Sequence, residues 1–127
     1  MSRTVIAPPS VTVPNVPLSP GVAYENLVFV SGQLPIDPAT GLLVEGISAQ
    51  TKASLDNLRT VLEAAGASMQ SVLKTTVFLK NMDDFGAMNA VYAEAFATEP
   101  PARSAIEVAR LPKDALVEIE AVAARVK

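Results

Sequence analysis

The sequence predicts a single α+β domain in which one mostly antiparallel β-sheet carries two helices on one face. The chain has 127 residues, which suffice for one hydrophobic core but not for two independent domains. Half of the residues are hydrophobic. The elements predicted from hydrophobic periodicity run in the order strands, helix, strand, helix, strand, strand, and this order builds one sheet with both helices on the same side.

The first 20 residues are predicted to form an extended lead-in. They contain too many prolines for a helix or a central strand: Pro8, Pro9, Pro14, Pro17 and Pro20. The apolar residues between these prolines, Val11, Val13, Val16 and Leu18, favour a segment that packs along an edge over a disordered tail.

A first strand is predicted over residues 26–32, where the apolar run Leu27 to Val30 is continuous. Residues 37–41, with the sequence DPATG, are a strong turn signal because they combine Asp, Pro and Gly. Strand and turn together predict a hairpin-like opening of the domain.

The middle of the chain alternates helix, strand and helix. Apolar residues recur at helical spacing over residues 48–65, and Gly66 follows at the position of a C-terminal cap. Residues 72–79 are rich in strand-forming residues and predict a buried strand. A second helix is expected to begin at Asp83 or Asp84 and to end before Pro100-Pro101.

Two strands are predicted to close the domain, over residues 104–108 and 116–126, with residues 111–114 as their connection. Strand alternation places Val117, Ile119 and Ala121 on one face of the last strand. It places Glu118, Glu120 and Val122 on the other face.

No predicted element remains to cover the second face of the sheet. The mean hydropathy of +0.32 also indicates more apolar surface than a small monomer hides. We therefore expect partner subunits to pack sheet to sheet, which would create clefts between chains.

The composition excludes several kinds of chemistry. Without cysteine or histidine, the chain has no thiolate nucleophile, no zinc-thiolate site and no imidazole base, and we expect neither a metal nor a cofactor. The net charge of −3 and the scattered Lys and Arg residues disfavour nucleic acid as a partner. No apolar run reaches the roughly 18 residues of a membrane span and no signal peptide is visible, so we expect no membrane contact and a cytoplasmic location.

Arg103 and Glu118 are the strongest candidates for a functional site. Arg103 follows a rigid diproline at the start of a predicted strand, and Glu118 lies in a very apolar strand. An arginine fork binds a carboxylate and a glutamate transfers a proton, so the pair fits a small anionic substrate. The alternatives are a solvated strand face and a structural ion pair.

Three further positions are weaker candidates. Ser31 and Gly32 end a predicted buried strand, where a hydroxyl and an approachable backbone can contact a ligand, although a plain transition from strand to turn explains them equally well. Asn89 lies within the second helix, where asparagine is more often a surface residue.

Several motifs occur in the order known from one protein family. They are VSGQ at 30–33, LDNL at 55–58, AAG at 64–66, KTTVFL at 74–79, NAVY at 89–92, PARS at 101–104, VARLPKD at 108–114 and EIEA at 118–121. By these motifs the sequence resembles the Rid/YjgF family of reactive intermediate deaminases, also known as endoribonuclease L-PSP proteins. The resemblance extends from about residue 14 to the end of the chain.

The resemblance implies a chorismate-mutase-like subunit that forms a homotrimer with ligand clefts between subunits. It implies that Arg103 binds the carboxylate of a 2-imino or enamino acid and that Glu118 positions and activates the attacking water. Backbone groups at Gly32 and Ala105 would hold the substrate, and Ser31 and Asn89 would line or support the cleft.

The sequence departs from the family pattern at two cleft positions. Leu18 stands where many family deaminases have a tyrosine that closes over the substrate, and Ala105 stands in place of a cysteine. Leu18 makes that wall of the expected substrate site more apolar.

The resemblance implies hydrolytic deamination of 2-iminopropanoate or 2-iminobutanoate to a 2-keto acid and ammonia. Two alternatives stay open. One is a deaminase for a pathway-specific enamine such as an aminoacrylate- or aminomuconate-like compound, which Leu18 favours. The other is a non-catalytic protein that binds small carboxylates through Arg103 without turnover.

Overall fold

Six strands and two α-helices are present within residues 2–125, which are those that the computed structural model describes. In chain order these elements are β1 (Thr4–Ile6), β2 (Gly21–Tyr24), β3 (Leu27–Gln33), α1 (Ile47–Ala64), β4 (Val72–Leu79), α2 (Phe85–Ala95), β5 (Ala102–Glu107) and β6 (Val117–Ala124). The strands form one mixed sheet in the order β1-β2-β3-β6-β4-β5. All neighbouring strands are antiparallel except β4 and β5, which are parallel.

Both helices cover the same face of this sheet, as predicted. α1 packs against β3 and β6, and α2 packs against α1. Tyr92 of α2 shares a hydrogen bond with Thr75 of β4, which places α2 on that same side. The core between the layers contains Leu58, Leu62 and Ile119, all fully buried.

β1 and β2 were not predicted from the sequence. β1 lies inside the proline-rich lead-in and pairs with β2 at the edge of the sheet, where Ile6 is buried. β2 pairs in turn with β3 through a tight turn in which Glu25 has a φ of 53°. Both strands are too short to show alternation, and cross-strand pairing defines them.

The predicted hairpin at residues 37–41 is therefore corrected. The turn exists, with the Gly41 N–H donating to the Asp37 carbonyl at 2.8 Å and Gly41 at a φ of 74°. It closes only an isolated bridge between Ile36 and Leu43. The hairpin partner of β3 is β2, which precedes it in the chain.

α1 confirms the predicted helix to within one residue at each end. Gly66 follows its C-terminal cap with a φ of 80°, and the Ala67 N–H donates to the Leu62 carbonyl at 2.9 Å. These are the features of a Schellman motif, which uses the tolerance of glycine for a left-handed backbone.

α2 lies within its predicted range, but its N-terminal capping differs from the prediction. Asp84 occupies the N-cap position, but its side chain makes no capping hydrogen bond. Asn81 instead caps the preceding 3₁₀ turn by accepting from the Asp83 N–H at 2.9 Å. The helix ends at Ala95, well before the diproline.

β6 shows the predicted alternation, with buried residues at every second position from Val117 to Ala123. The residues between them point to the uncovered face. Val126, which the sequence also assigns to this strand, lies outside the described residues. No helix within residues 2–125 has the length and apolar character needed to cross a membrane.

Candidate active site

Arg103 lies on β5, beside Thr75 of β4, and its side chain points to the helix-covered side of the sheet. Its Nη1 donates a hydrogen bond to Oδ1 of Asn89 at 2.7 Å. Its Cζ lies 4.8 Å from the ring centroid of Tyr92 and 5.5 Å from that of Phe85. The guanidinium is thus held by one amide and two aromatic rings, all supplied by α2.

The positive charge of Arg103 has no carboxylate partner among the described residues. The ion pairs within residues 2–125 are Lys52–Asp56, Arg59–Asp56 and Arg110–Asp114. A half-buried guanidinium without a counter-ion attracts an anion, and its remaining N–H groups match the geometry of a carboxylate.

Glu118 lies on β6, beside Phe78 of β4, and faces the uncovered side of the sheet. It is half-buried, and burial raises the pKa of its carboxyl above the usual value for glutamate. The nearby charge of Glu120 raises the pKa further. A raised pKa makes the carboxylate a stronger base, which suits it to accept a proton from a water molecule.

Gly32 provides the space that the Glu118 carboxylate occupies. A Cβ added at Gly32 would lie 2.9 Å from Cδ of Glu118, which is too close for any side chain. The pairing of β3 with β6 also shifts between Val30 and Gln33, as in a β-bulge. Bulges of this kind re-aim backbone groups next to functional sites.

Ser31 connects this bulge to the loop that carries Leu18. Its Oγ donates to the Ser19 carbonyl at 2.6 Å, and its N–H donates to the Pro20 carbonyl at 2.9 Å. The hydroxyl proton is therefore engaged, and Ser31 supports the loop. Leu18 is 49% exposed on that loop.

Ala105 lies two residues after Arg103 on β5, beside Val77, so it shares the helix-covered side with Arg103. The small side chain is half-buried. Asn89, Arg103 and Ala105 thus form one group of the predicted site residues.

The structure divides the predicted site residues between the two sides of the sheet. Arg103 aligns with Thr75, and Glu118 aligns with Phe78, which lies three positions further along β4. Arg103 and Glu118 therefore face opposite sides and are offset by about 10 Å along the strand. Within one chain they do not form one site, and a site that uses both requires a second chain.

Sequence reasoning missed three residues around Arg103: Thr75, Phe85 and Tyr92. The available signal was the spacing of Phe85, Asn89 and Tyr92. These residues are four and then three positions apart, so they share one face of a helix. Without the knowledge that this face contacts Arg103 of β5, the spacing predicts only that the face packs against the hydrophobic core.

Among the described residues, no three His, Cys, Asp or Glu side chains converge in a way that would hold a metal ion. A surface groove of about 390 Å³ lies between α1 and the loop from Ile36 to Val44. It contains none of the predicted site residues.

Over most of its length, the chain is similar to known proteins. Residues 10–125 match the family model described as Endoribonuclease L-PSP. A 2-iminobutanoate/2-iminopropanoate deaminase of Salmonella typhimurium is 50% identical over 113 residues, which cover 86% of this chain and 88% of that protein. A RutC family protein of Pyrococcus abyssi is 48% identical over 97% of this chain and 98% of its own length. The crystal structure of Escherichia coli TdcF with bound serine superposes with a TM-score of 0.92 at 37% identity, covering 97% of this chain and 99% of that one.

Proposed function

Because the chain belongs to the endoribonuclease L-PSP family, we propose that it is an enzyme that hydrolyses reactive 2-imino and enamino acids to 2-keto acids and ammonia. The proposed substrates are 2-iminopropanoate and 2-iminobutanoate, in line with the name of the Salmonella relative. The observation that carries the proposal is the guanidinium of Arg103, which Asn89 holds in place and which has no carboxylate partner within residues 2–125.

Arg103 binds the substrate carboxylate in this proposal. Two parallel N–H···O bonds to a carboxylate fix both its position and its plane. The crystal structure of TdcF contains bound serine, itself a small carboxylate, which supports a site of this kind in the family. Binding in one orientation also presents the imine carbon to the attacking water.

Glu118 moves the protons. Its carboxylate accepts a proton from the water whose oxygen bonds to the imine carbon, which yields a tetrahedral carbinolamine. Glu118 returns this proton to the nitrogen, which becomes an amino group. It then moves the proton of the new hydroxyl to the same nitrogen, the C–N bond breaks, and ammonia leaves as the carbonyl forms. Burial and the charge of Glu120 raise the pKa of Glu118, which makes its carboxylate a stronger base for the proton of the attacking water.

The active assembly is proposed to be a homotrimer with its sites between chains. The uncovered side of the sheet exposes an apolar set that a partner chain would bury: Val5, Tyr24, Leu27, Phe29 and Ile106. Since Arg103 and Glu118 face opposite sides, a neighbouring chain that packs on this surface is needed to bring its Arg103 to Glu118.

Leu18 favours a second candidate, a deaminase for a pathway-specific enamine such as an aminoacrylate- or aminomuconate-like compound. Its exposed side chain lies on the loop that Ser31 holds beside Gly32. An apolar wall there would accept a substrate with a larger apolar portion than 2-iminopropanoate.

RNA is not a proposed substrate despite the family name. The chain has a net charge of −3 and lacks histidine, so it offers neither a basic groove nor an imidazole base. Small molecules and copies of this chain are the proposed partners. Binding of a single-stranded RNA that weakens steeply with salt would contradict this.

The direct test measures keto-acid and ammonia release from 2-iminopropanoate and 2-iminobutanoate formed in situ by an amino-acid oxidase. We expect wild-type protein to accelerate release and both Arg103→Ala and Glu118→Ala to abolish the acceleration. Arg110→Ala and Glu94→Ala serve as matched controls because both side chains are exposed and outside the site.

Absence of acceleration by wild-type protein would contradict the deaminase proposal for these two substrates. If 2-ketobutanoate still bound in a manner that depends on Arg103, the specialised deaminase and the non-catalytic binder would remain. Turnover of a larger enamine would then decide between these two.

A further inference from the structure

We propose that Tyr92, together with Phe85, is a positioning residue that holds the guanidinium of Arg103 in the orientation needed to bind a substrate carboxylate. This inference rests on the proposed function and adds to it two residues on which carboxylate affinity depends.

The spacing along α2 shows how the two rings act together. Phe85, Asn89 and Tyr92 lie on one face of the helix at positions i, i+4 and i+7. Seven residues of helix rise about 10.5 Å, so one ring lies a turn before Asn89 and the other a turn after it. The guanidinium is bonded to Asn89 and contacts both rings, with its Cζ 5.5 Å from the centroid of Phe85 and 4.8 Å from that of Tyr92.

The ring of Tyr92 is itself fixed. Its hydroxyl shares a 2.7 Å hydrogen bond with Oγ1 of Thr75, which is fully buried in β4. Its ring also lies beside the ring of Phe96, with centroids 4.7 Å apart. A ring held at its hydroxyl and along its side offers the arginine a rigid surface.

The chemistry of these partners explains why they suit a binding arginine. The two rings and the Asn89 amide are uncharged, so they orient the guanidinium without neutralising its charge. A carboxylate partner would orient it equally well but would compete with the substrate. Among the residues that the structure describes, Arg103 has no such competitor.

The opposing interpretation is that Tyr92 is only a core residue, since it is 6% exposed. Three variants separate the two interpretations. Tyr92→Leu removes the ring, Tyr92→Phe keeps the ring but removes the bond to Thr75, and Phe85→Leu removes the more exposed ring. Met88→Ala is the matched control because Met88 is fully buried on the same helix and is not one of the Arg103 partners described above.

Kinetics with 2-iminobutanoate and calorimetric binding of its product, 2-ketobutanoate, measure the effect. We expect Tyr92→Leu and Phe85→Leu to raise KM and the product Kd about tenfold while kcat changes by less than about twofold. Tyr92→Phe should stay within about threefold of wild type because the ring remains. Met88→Ala should lower Tm but leave KM unchanged.

A third measurement needs no substrate. The side-chain ¹⁵N order parameter of Arg103 Nε should be high in the free wild-type protein and fall in Tyr92→Leu and Phe85→Leu. Should Tyr92→Leu fail to fold, Phe85→Leu still tests the inference because Phe85 is 37% exposed.

The outcomes distinguish the proposed function from the positioning role. Wild-type protein that neither turns over the imine nor binds the keto acid would overturn the proposed function and the role in binding together. A working enzyme whose Phe85→Leu and Tyr92→Leu variants keep wild-type KM, Kd and order parameter would overturn the positioning role alone. An equal rise in KM for Met88→Ala would also overturn it, since any loss of core packing around α2 would then weaken substrate binding.

Discussion

Burial of Glu118 has opposite consequences for chemistry and for stability. The folded chain raises the pKa of this carboxyl through desolvation and through the charge of Glu120. A raised pKa makes the carboxylate a stronger base, which helps it to accept a proton from water. It also means that folding disfavours the ionised form, so stability is lost as the pH rises through the folded-state pKa.

Glu118→Gln is therefore expected to raise Tm at pH 7, because an uncharged amide replaces a desolvated carboxylate. Below about pH 4, where a free glutamate is protonated as well, the difference should disappear. Calorimetric melting of both proteins between about pH 3.5 and 8 checks this. Glu94→Gln controls for the change in net charge, and a Glu118→Gln protein less stable than wild type at pH 7 would refute the prediction.

Gly32 is expected to matter more for activity than for stability. Gly32→Ala would displace the Glu118 carboxylate, which lies at the end of a flexible side chain and can move away. We expect the free energy of unfolding to change by less than about 1 kcal/mol and kcat to fall about 100-fold or more. Urea unfolding and steady-state kinetics measure the two effects.

Gly86→Ala is the control for Gly32→Ala, because nothing lies within 4 Å of a Cβ at Gly86. It should keep full activity. Full activity in Gly32→Ala would show that the space beside Glu118 is not needed for catalysis.

At the scale of elements, the side-chain amide of Gln50 connects α1 to two other parts of the chain. Its Nε2 donates to the Val44 carbonyl at 3.0 Å, and its Oε1 accepts from the Leu116 N–H at 2.8 Å. It thereby ties α1 to the loop before it and to the start of β6, two residues from Glu118.

Gln50→Ala should lower the free energy of unfolding by about 1–3 kcal/mol, since it leaves two backbone groups without partners in a mostly buried place. Urea unfolding measures the loss. Gln70→Ala removes an exposed glutamine and should change stability by less than about 0.5 kcal/mol. Equal stability of the two variants would show that water replaces both bonds of Gln50.

The elements that the sequence predicted best are those with a strong local pattern. α1 shows helical periodicity followed by a glycine cap, and β6 shows strict alternation. β2 was missed because Gly21 to Tyr24 is too short for a pattern, and the first strands exist through their pairing with β3. Of the predicted caps Asp83 and Asp84, Asp84 holds the N-cap position of α2 but makes no capping bond, and the capping side chain is Asn81, which begins a 3₁₀ turn ahead of the helix.

At the scale of the whole molecule, the opposite orientation of Arg103 and Glu118 has a direct consequence. If each active site takes Arg103 from one chain and Glu118 from its neighbour, two inactive variants should complement each other. Chains with Arg103→Ala still supply Glu118, and chains with Glu118→Ala still supply Arg103. Mixed trimers would then contain intact sites.

Co-refolding of equal amounts of the two inactive variants should restore about a quarter of wild-type activity, because each chain of a site is the required variant half of the time. Each variant refolded alone is the control and should stay inactive. Mass measurement by light scattering checks whether trimers form in the same samples. No recovery from properly assembled mixed trimers would show that each site uses one chain alone.

The sequence by itself determined the class of fold, the positions of both helices, the buried strand β4 and the two faces of β6, because each follows from the spacing of apolar residues along a local segment. It also indicated the residue types of the site. Only the tertiary structure decided the order of the strands, the aromatic contacts of Arg103 and the separation of Arg103 from Glu118. These features depend on how β5 and β6 align with β4. A shift of one residue in either alignment would turn Arg103 or Glu118 to the opposite side of the sheet.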